Sequence, residues 1–155
     1  MVVSANSDTI LRLWNFNPTL NGFLLLDETN YHDRCLLKTK VISTVFDQKV
    51  AVYVVSACTG GKVCIWDISN EKFVLKNECR PHQSGVKALS VYKEGDYIYI
   101  ASGGDDNSVS LIKYSLESSD IDFQTEKNAH SSSVSGCFIT SKYYYSFSIG
   151  YLILI

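Results

Sequence analysis

Proline occurs only twice in the 155 residues, and only 19% of them are charged. The apolar share is 46%, so the chain has material for a packed core and does not read as a disordered segment. Basic and acidic residues nearly cancel, 14 against 16, for a net charge of -2. A global basic field that would draw in nucleic acid indiscriminately is therefore excluded, while a local basic patch is compatible with the composition. No apolar run approaches the ~20 residues of a membrane-spanning helix, the tail at 143–155 included. Met1 runs directly into Val2-Val3-Ser4 with no basic leader, so a secretory signal is not expected. Five cysteines, Cys35, Cys58, Cys64, Cys79 and Cys137, include no pair at zinc-knuckle or redox spacing. They read as small buried hydrophobes in a reducing, cytoplasmic compartment, with neither metal nor cofactor expected.

Valine, isoleucine, tyrosine, phenylalanine and serine are plentiful, and branched and aromatic residues suit a pleated, half-buried surface. Three segments align without gaps and point to an internal repeat. They are Val3-Ser4-Ala5-Asn6-Ser7-Asp8-Thr9-Ile10-Leu11-Arg12-Leu13-Trp14, then residues 55–66 from Val55-Ser56-Ala57 to Ile65-Trp66, then residues 101–112 from Ala101-Ser102-Gly103 to Leu111-Ile112. Each reads as a β-hairpin: a serine after an apolar residue, a turn of Asn, Asp, Gly, Ser or Thr, and an alternating strand. Both faces of these strands are apolar, so both are expected to be covered. A histidine precedes each later hairpin: His32 lies 24 residues before Ser56, His82 lies 20 before Ser102 and His130 lies 16 before Ser146. A valine follows His82 and His130 by four residues, at Val86 and Val134.

Histidine, valine four on, then serine, a turn aspartate and a closing tryptophan: this pattern resembles the WD40 repeat. The resemblance implies an all-β propeller in which those four residues form a hydrogen-bonded network within each blade. By position the network residues are Ser4, Asp8 and Trp14; His32, Ser56 and Trp66; His82, Ser102 and Asp106; and His130 and Ser146. Gly60 and Gly150 stand where aspartate is expected, and Ile112 where tryptophan is expected. His82, Ser102 and Asp106 also supply the residue types of a hydrolase triad. Because serine and histidine recur in neighbouring repeats, a blade-stabilising network is the favoured reading. The basic run Arg34, Lys38 and Lys40 reads as a solvated edge rather than an RNA site.

The expected layout is the end of one blade at 1–26, blades at 34–78 and 84–127, and the start of another at 134–155. Loops are predicted at 15–22, 27–33, 69–72, 78–85 and 116–133. A WD40 blade takes about 40–45 residues and closed rings use about 4–8 blades, so the chain supplies about three four-stranded antiparallel blades of an incomplete ring. The expectation is a section of a longer propeller or the product of a truncated gene model, with unpaired edges prone to association.

Finer features extend the resemblance. Tyr31-His32-Asp33-Arg34-Cys35-Leu36-Leu37-Lys38, the pairing of Pro81-His82-Gln83-Ser84-Gly85-Val86 with Ile100-Ala101-Ser102-Gly103-Gly104-Asp105-Asp106, and Asn128-Ala129-His130 before Val134 resemble the last repeats of the WD-repeat-containing protein 6 family. That resemblance spans about residues 1–140. It implies the non-catalytic partner of an FtsJ-like tRNA 2′-O-ribose methyltransferase acting at the anticodon wobble position, with tRNA itself as a possible second partner. No glycine-rich strand-to-helix turn of a methyl-donor site is present. The alternative class is a generic protein-interaction propeller, in signalling or ubiquitin-ligase assembly, since fold does not fix function. Neither reading places the chain at a membrane.

Overall fold

In the computed structural model the described residues are 1–46, 48–148 and 151–154. Their alternating apolar and polar residues form fourteen strands. Blade 1 is β1 (Val2–Ala5), β2 (Leu11–Asn17) and β3 (Gly22–Thr29). Blade 2 is β4 (Leu36–Phe46), β5 (Lys49–Cys58), β6 (Val63–Asp67) and β7 (Val74–Cys79). Blade 3 is β8 (Val86–Glu94), β9 (Tyr97–Gly104), β10 (Val109–Ser115) and β11 (Ile121–Glu126). Blade 4 is β12 (Val134–Ile139), β13 (Tyr144–Ser148) and β14 (Tyr151–Leu154). Within each sheet the strands follow chain order and pair antiparallel. The fold is all-β, but only blades 2 and 3 have four strands; blades 1 and 4 have three among the described residues.

Alternation decides which neighbour each residue meets. Val54, Trp66 and Ile68 point from blade 2 into a core shared with Leu11 and Leu13 of blade 1. Val55, Val63 and Ile65 point the other way, into a core with Ile98, Ile100, Ile112 and Tyr114 of blade 3. A third core joins Ala88, Ala101 and Val109 to Val134 and Ile139 of blade 4. The expectation that both faces are covered therefore holds for blades 2 and 3. Each fully buried Val, Leu or Ile side chain contributes about 1.5–3 kcal/mol, so the stacking is driven mainly by these cores. On blade 1 the face equivalent to Val54, Ile68, Phe73 and Leu75, made of Val2, Phe16, Phe23 and Leu25, is exposed.

The repeat extends to backbone irregularities. The same bulge occurs between Leu36 and Lys38, Val86 and Ala88, and Val134 and Gly136. Thr9, Gly61 and Asn107 occupy one position of the hairpin turn, and all three have positive φ, at 71°, 79° and 62°. Gly61 has a second constraint, because a Cβ there would lie 2.1 Å from the carbonyl oxygen of His82. Blades 2 and 3 thus touch backbone to backbone at a place only glycine fits.

Three predicted loops change, the one at 27–33 because β3 continues through Thr29. The predicted loop at 116–133 contains β11 (Ile121–Glu126), paired with β10 along its length. It is polar because it is the outer strand of its blade, with Asp122, Phe123, Gln124 and Glu126 exposed. The predicted loop at 15–22 is shorter, since β2 continues through Asn17 and Phe16 pairs with Phe23. Cys58 and Cys64 are buried as expected, whereas Cys35 is exposed because it lies in the connection just before β4.

Candidate functional site

The network residues tie the histidine of each inter-blade loop to a serine on a strand of the following blade. In blade 3, His82 Nε2 lies 2.9 Å from Ser102 Oγ, and its Nδ1 lies 3.1 Å from Asp106 Oδ1 and 2.7 Å from Ser108 Oγ. Asp106 also accepts from Ser108 Oγ at 2.6 Å and from the Gln83 amide at 2.8 Å. The carboxylate therefore ties the loop before β8 to the turn between β9 and β10. Burial alone would raise the Asp106 carboxyl, but the donors of Ser108, Gln83 and His82 outweigh it and hold it at about 2. Burial pushes the His82 imidazole below its ordinary value, against the pull of Asp106.

Blade 2 carries a shortened lock. His32 Nε2 lies 2.8 Å from Ser56 Oγ, which also accepts the Trp66 indole N–H at 2.8 Å. Gly60 offers no carboxylate, and His32 Nδ1 is buried without a hydrogen-bond partner. Burial, with a smaller push from Lys62, holds the His32 imidazole at about 4. In blade 4, His130 lies 2.8 Å from Ser146 Oγ through Nε2 and 3.0 Å from Ser148 Oγ through Nδ1. Gly150, expected at the aspartate position there, lies outside the described residues.

Blade 1 corrects one expectation. Trp14 donates to Ser4 Oγ at 2.8 Å, as in blade 2, but Asp8 does not join them. No histidine of the chain faces it, and Asp8 instead accepts from Arg12 at 2.7 Å and from the Ile10 amide at 3.1 Å. The Arg12 guanidinium holds the Asp8 carboxyl below the usual carboxylate range. Two members were not read from the sequence: Ser108 and Ser148, the hydroxyls at Nδ1 of His82 and His130. Their only signal is spacing, two residues past Asp106 and two past Ser146.

His82, Ser102 and Asp106 have the connectivity of a hydrolase triad, Oγ to Nε2 and Nδ1 to carboxylate. A nucleophile must be reached by its substrate, however, and Ser102 is 0% exposed and His82 2%. The same His–Ser pair recurs in blades 2 and 4, where it is also buried. The arrangement can lock loops to strands; it cannot present an alkoxide to a ligand. Among the described residues no His, Cys, Asp and Glu cluster could hold a metal, and no helix is long and apolar enough to cross a membrane.

The surroundings of the locks differ between blades. In blade 2, Tyr31 packs edge-on against Trp66, with centroids 5.5 Å apart, and Lys62 lies over the Tyr31 ring while pairing with Glu78 at 3.3 Å. In blade 3, Pro81 and Ser108 replace Tyr31 and Lys62, and a notch of about 530 Å³ opens beside the lock. Arg34 is exposed and its side chain lies over Gly60, while Lys38 and Lys40 are exposed on β4.

The family model for the WD domain, G-beta repeat, matches residues 73–113, from the outer strand β7 of blade 2 through β10 of blade 3. A tRNA (34-2'-O)-methyltransferase regulator WDR6 from Bos taurus is 25% identical over 137 residues, covering 76% of this chain and 12% of the relative. Those from Pongo abelii and Homo sapiens are 27% and 26% identical over 139 residues, with the same coverage. The chain thus spans about 12% of the length of these relatives. The chain thus carries a match to a WD40 repeat at residues 73–113, and with the same serine-centred lock in the neighbouring sheets its all-β architecture is that of WD40 propeller blades.

Proposed function

We propose that the chain acts as a non-catalytic scaffold within a regulator of a tRNA wobble-position 2′-O-ribose methyltransferase. The observation that carries this reading is the similarity to three such regulators over 76% of the chain. Burial of Ser102 and His82 supports the non-catalytic half, because the would-be nucleophile and base of the triad-like constellation are both buried in blade 3. In this division of labour the FtsJ-like enzyme brings the methyl donor and the chemistry. The blades bring a rigid surface that holds enzyme and tRNA in one geometry, and orientation alone can remove several kcal/mol from a barrier. The five free cysteines suit a reducing, cytoplasmic setting.

The test is purification of the full-length protein under native conditions. A tRNA ribose methyltransferase is expected to co-purify with it in constant ratio. Recovery of signalling or ubiquitin-ligase components instead, with no methyltransferase, would favour a generic interaction propeller.

A further inference from the structure

We propose that the notch in blade 3 is a contact site for an unpaired nucleotide of RNA, with Arg80 and Lys127 on phosphate and Phe123 against a base. The choice of RNA rests on the tRNA reading above; the chemistry of the notch stands on the blade itself.

Ser56 and Ser102 align, as do His32 and His82, so each residue around the blade 3 notch has a counterpart in blade 2. Val63 pairs with Cys79 and Val109 with Glu126, which places Thr125 at the position of Glu78 and Lys127 at that of Arg80. In blade 2 the space is filled and neutralised by Tyr31 and the Lys62–Glu78 pair. In blade 3 all three are gone: Pro81 is smaller than Tyr31, Ser108 replaces the lysine and Thr125 replaces the glutamate.

What remains is a cavity with a polar wall, in which the one lining carboxylate is the hydrogen-bonded Asp106, and a cationic rim. Arg80 and Lys127 are both exposed, and neither has an ion pair among the described residues. The Thr125 hydroxyl is turned inward, donating to the Pro81 carbonyl at 3.1 Å. The nearest carboxylate, Asp106, is occupied by His82, Ser108 and the Gln83 amide. Gln124 and Glu126 line a cavity on the other side of the blade. Phe123 lines the notch and is 40% exposed. Two cations beside an exposed aromatic ring are the combination that takes a phosphate and stacks its base, while a protein acid alone would leave Phe123 unused. The lock behind it keeps the wall rigid, so little ordering is needed on binding.

The experiment uses the full-length protein and an unmodified tRNA transcript, with binding followed by fluorescence anisotropy across a salt series. Arg80→Ala with Lys127→Ala should weaken binding about ten-fold and lower the slope of log K against log salt by about 0.7, for the one phosphate the two cations share. Phe123→Ala should weaken binding about ten-fold with the slope unchanged, and Phe123→Trp should restore it. Lys72→Ala, an exposed lysine outside the notch, should change neither. Because Arg80 and Lys127 are exposed, the charge variants carry the test even if Phe123→Ala fails to fold. Wild-type affinity and slope in the double variant would overturn the proposal, as would an equal loss in Lys72→Ala. So would a double variant that loses the methyltransferase while binding tRNA normally, which would assign the notch to a protein partner. Notch-dependent tRNA binding without any methyltransferase association would instead keep the proposal and remove the regulator reading.

Discussion

Blade 2 contains a buried ring nitrogen, His32 Nδ1, without a partner, and Gly60→Asp should supply one to its N–H form. Gly60 follows Ser56 by four residues, as Asp106 follows Ser102, so the new carboxylate would face His32 Nδ1 as Asp106 faces His82 Nδ1 at 3.1 Å. His32 Nδ1 is now buried and unpartnered, a defect that costs about 1–3 kcal/mol. Replacing glycine also narrows the unfolded ensemble, which adds about 0.4–1 kcal/mol. Against this stand the desolvation of a new carboxylate and a tight approach, since the Cβ would meet Arg34 Cγ at 3.1 Å. That neighbour is the stem of an exposed side chain, free to yield, and its guanidinium is of attractive sign. The net expectation is stabilisation by about 1–2 kcal/mol in urea titration at neutral pH, with Gly60→Ala as the control for the steric change. A second readout is independent of stability. The carboxylate favours the imidazolium, so the titration of His32 by NMR should move up from about 4. If Gly60→Asp is no more stable than Gly60→Ala and His32 titrates unchanged, the view of these loops as hydrogen-bonded locks is wrong.

Three further expectations follow from the same geometry. Ser102→Ala removes the partner of His82 Nε2 and should cost about 1 kcal/mol in chemical denaturation; a hydrolytic activity that vanished with it while the fold survived would contradict the non-catalytic reading. Gly61→Ala places a Cβ 2.1 Å from the His82 carbonyl at a φ of +79°, so it should cost at least about 2 kcal/mol, seen as a lowered denaturation midpoint; a neutral result would mean that blades 2 and 3 do not meet there. Acid should destabilise the chain: burial lowers the folded-state pKa of His32, His82 and His130, so the unfolded chain takes up more protons below about 6.5. Stability is then fully present above that pH and declines toward about 4, where His32 titrates, by up to about 3 kcal/mol from that residue; stability that stays flat across this window would refute the burial of neutral histidines.

The parts of the lock that recur at fixed offsets were legible in the sequence. Ser56, Ser102 and Ser146 are found with their histidines because each pair must bridge the same strand and loop in every blade. Asp8 shows the limit of offset alone, since it sits at the aspartate position but its partner is Arg12, on the same hairpin. Ser108 and Ser148 were hidden because they do not share a repeat position: Ser108 follows Ser102 by six residues and Ser148 follows Ser146 by two. The strand β11 was hidden for a different reason. Its residues satisfy β10 through the backbone while Asp122, Phe123, Gln124 and Glu126 are exposed, so the segment reads as polar although Ile121, Phe123 and Thr125 alternate. The blade 3 notch could not be read at all, because it depends on what Pro81, Ser108 and Thr125 leave unfilled across three separate strands and loops.

The most direct test of the scaffold reading is the level of 2′-O-methylation at the wobble nucleotide of tRNA in cells lacking the protein. The account predicts that this methyl group is lost or strongly reduced, that re-expression of the full-length protein restores it, and that Ser102→Ala restores it as well wherever the protein still folds. Unchanged wobble methylation in the null cells would contradict the account.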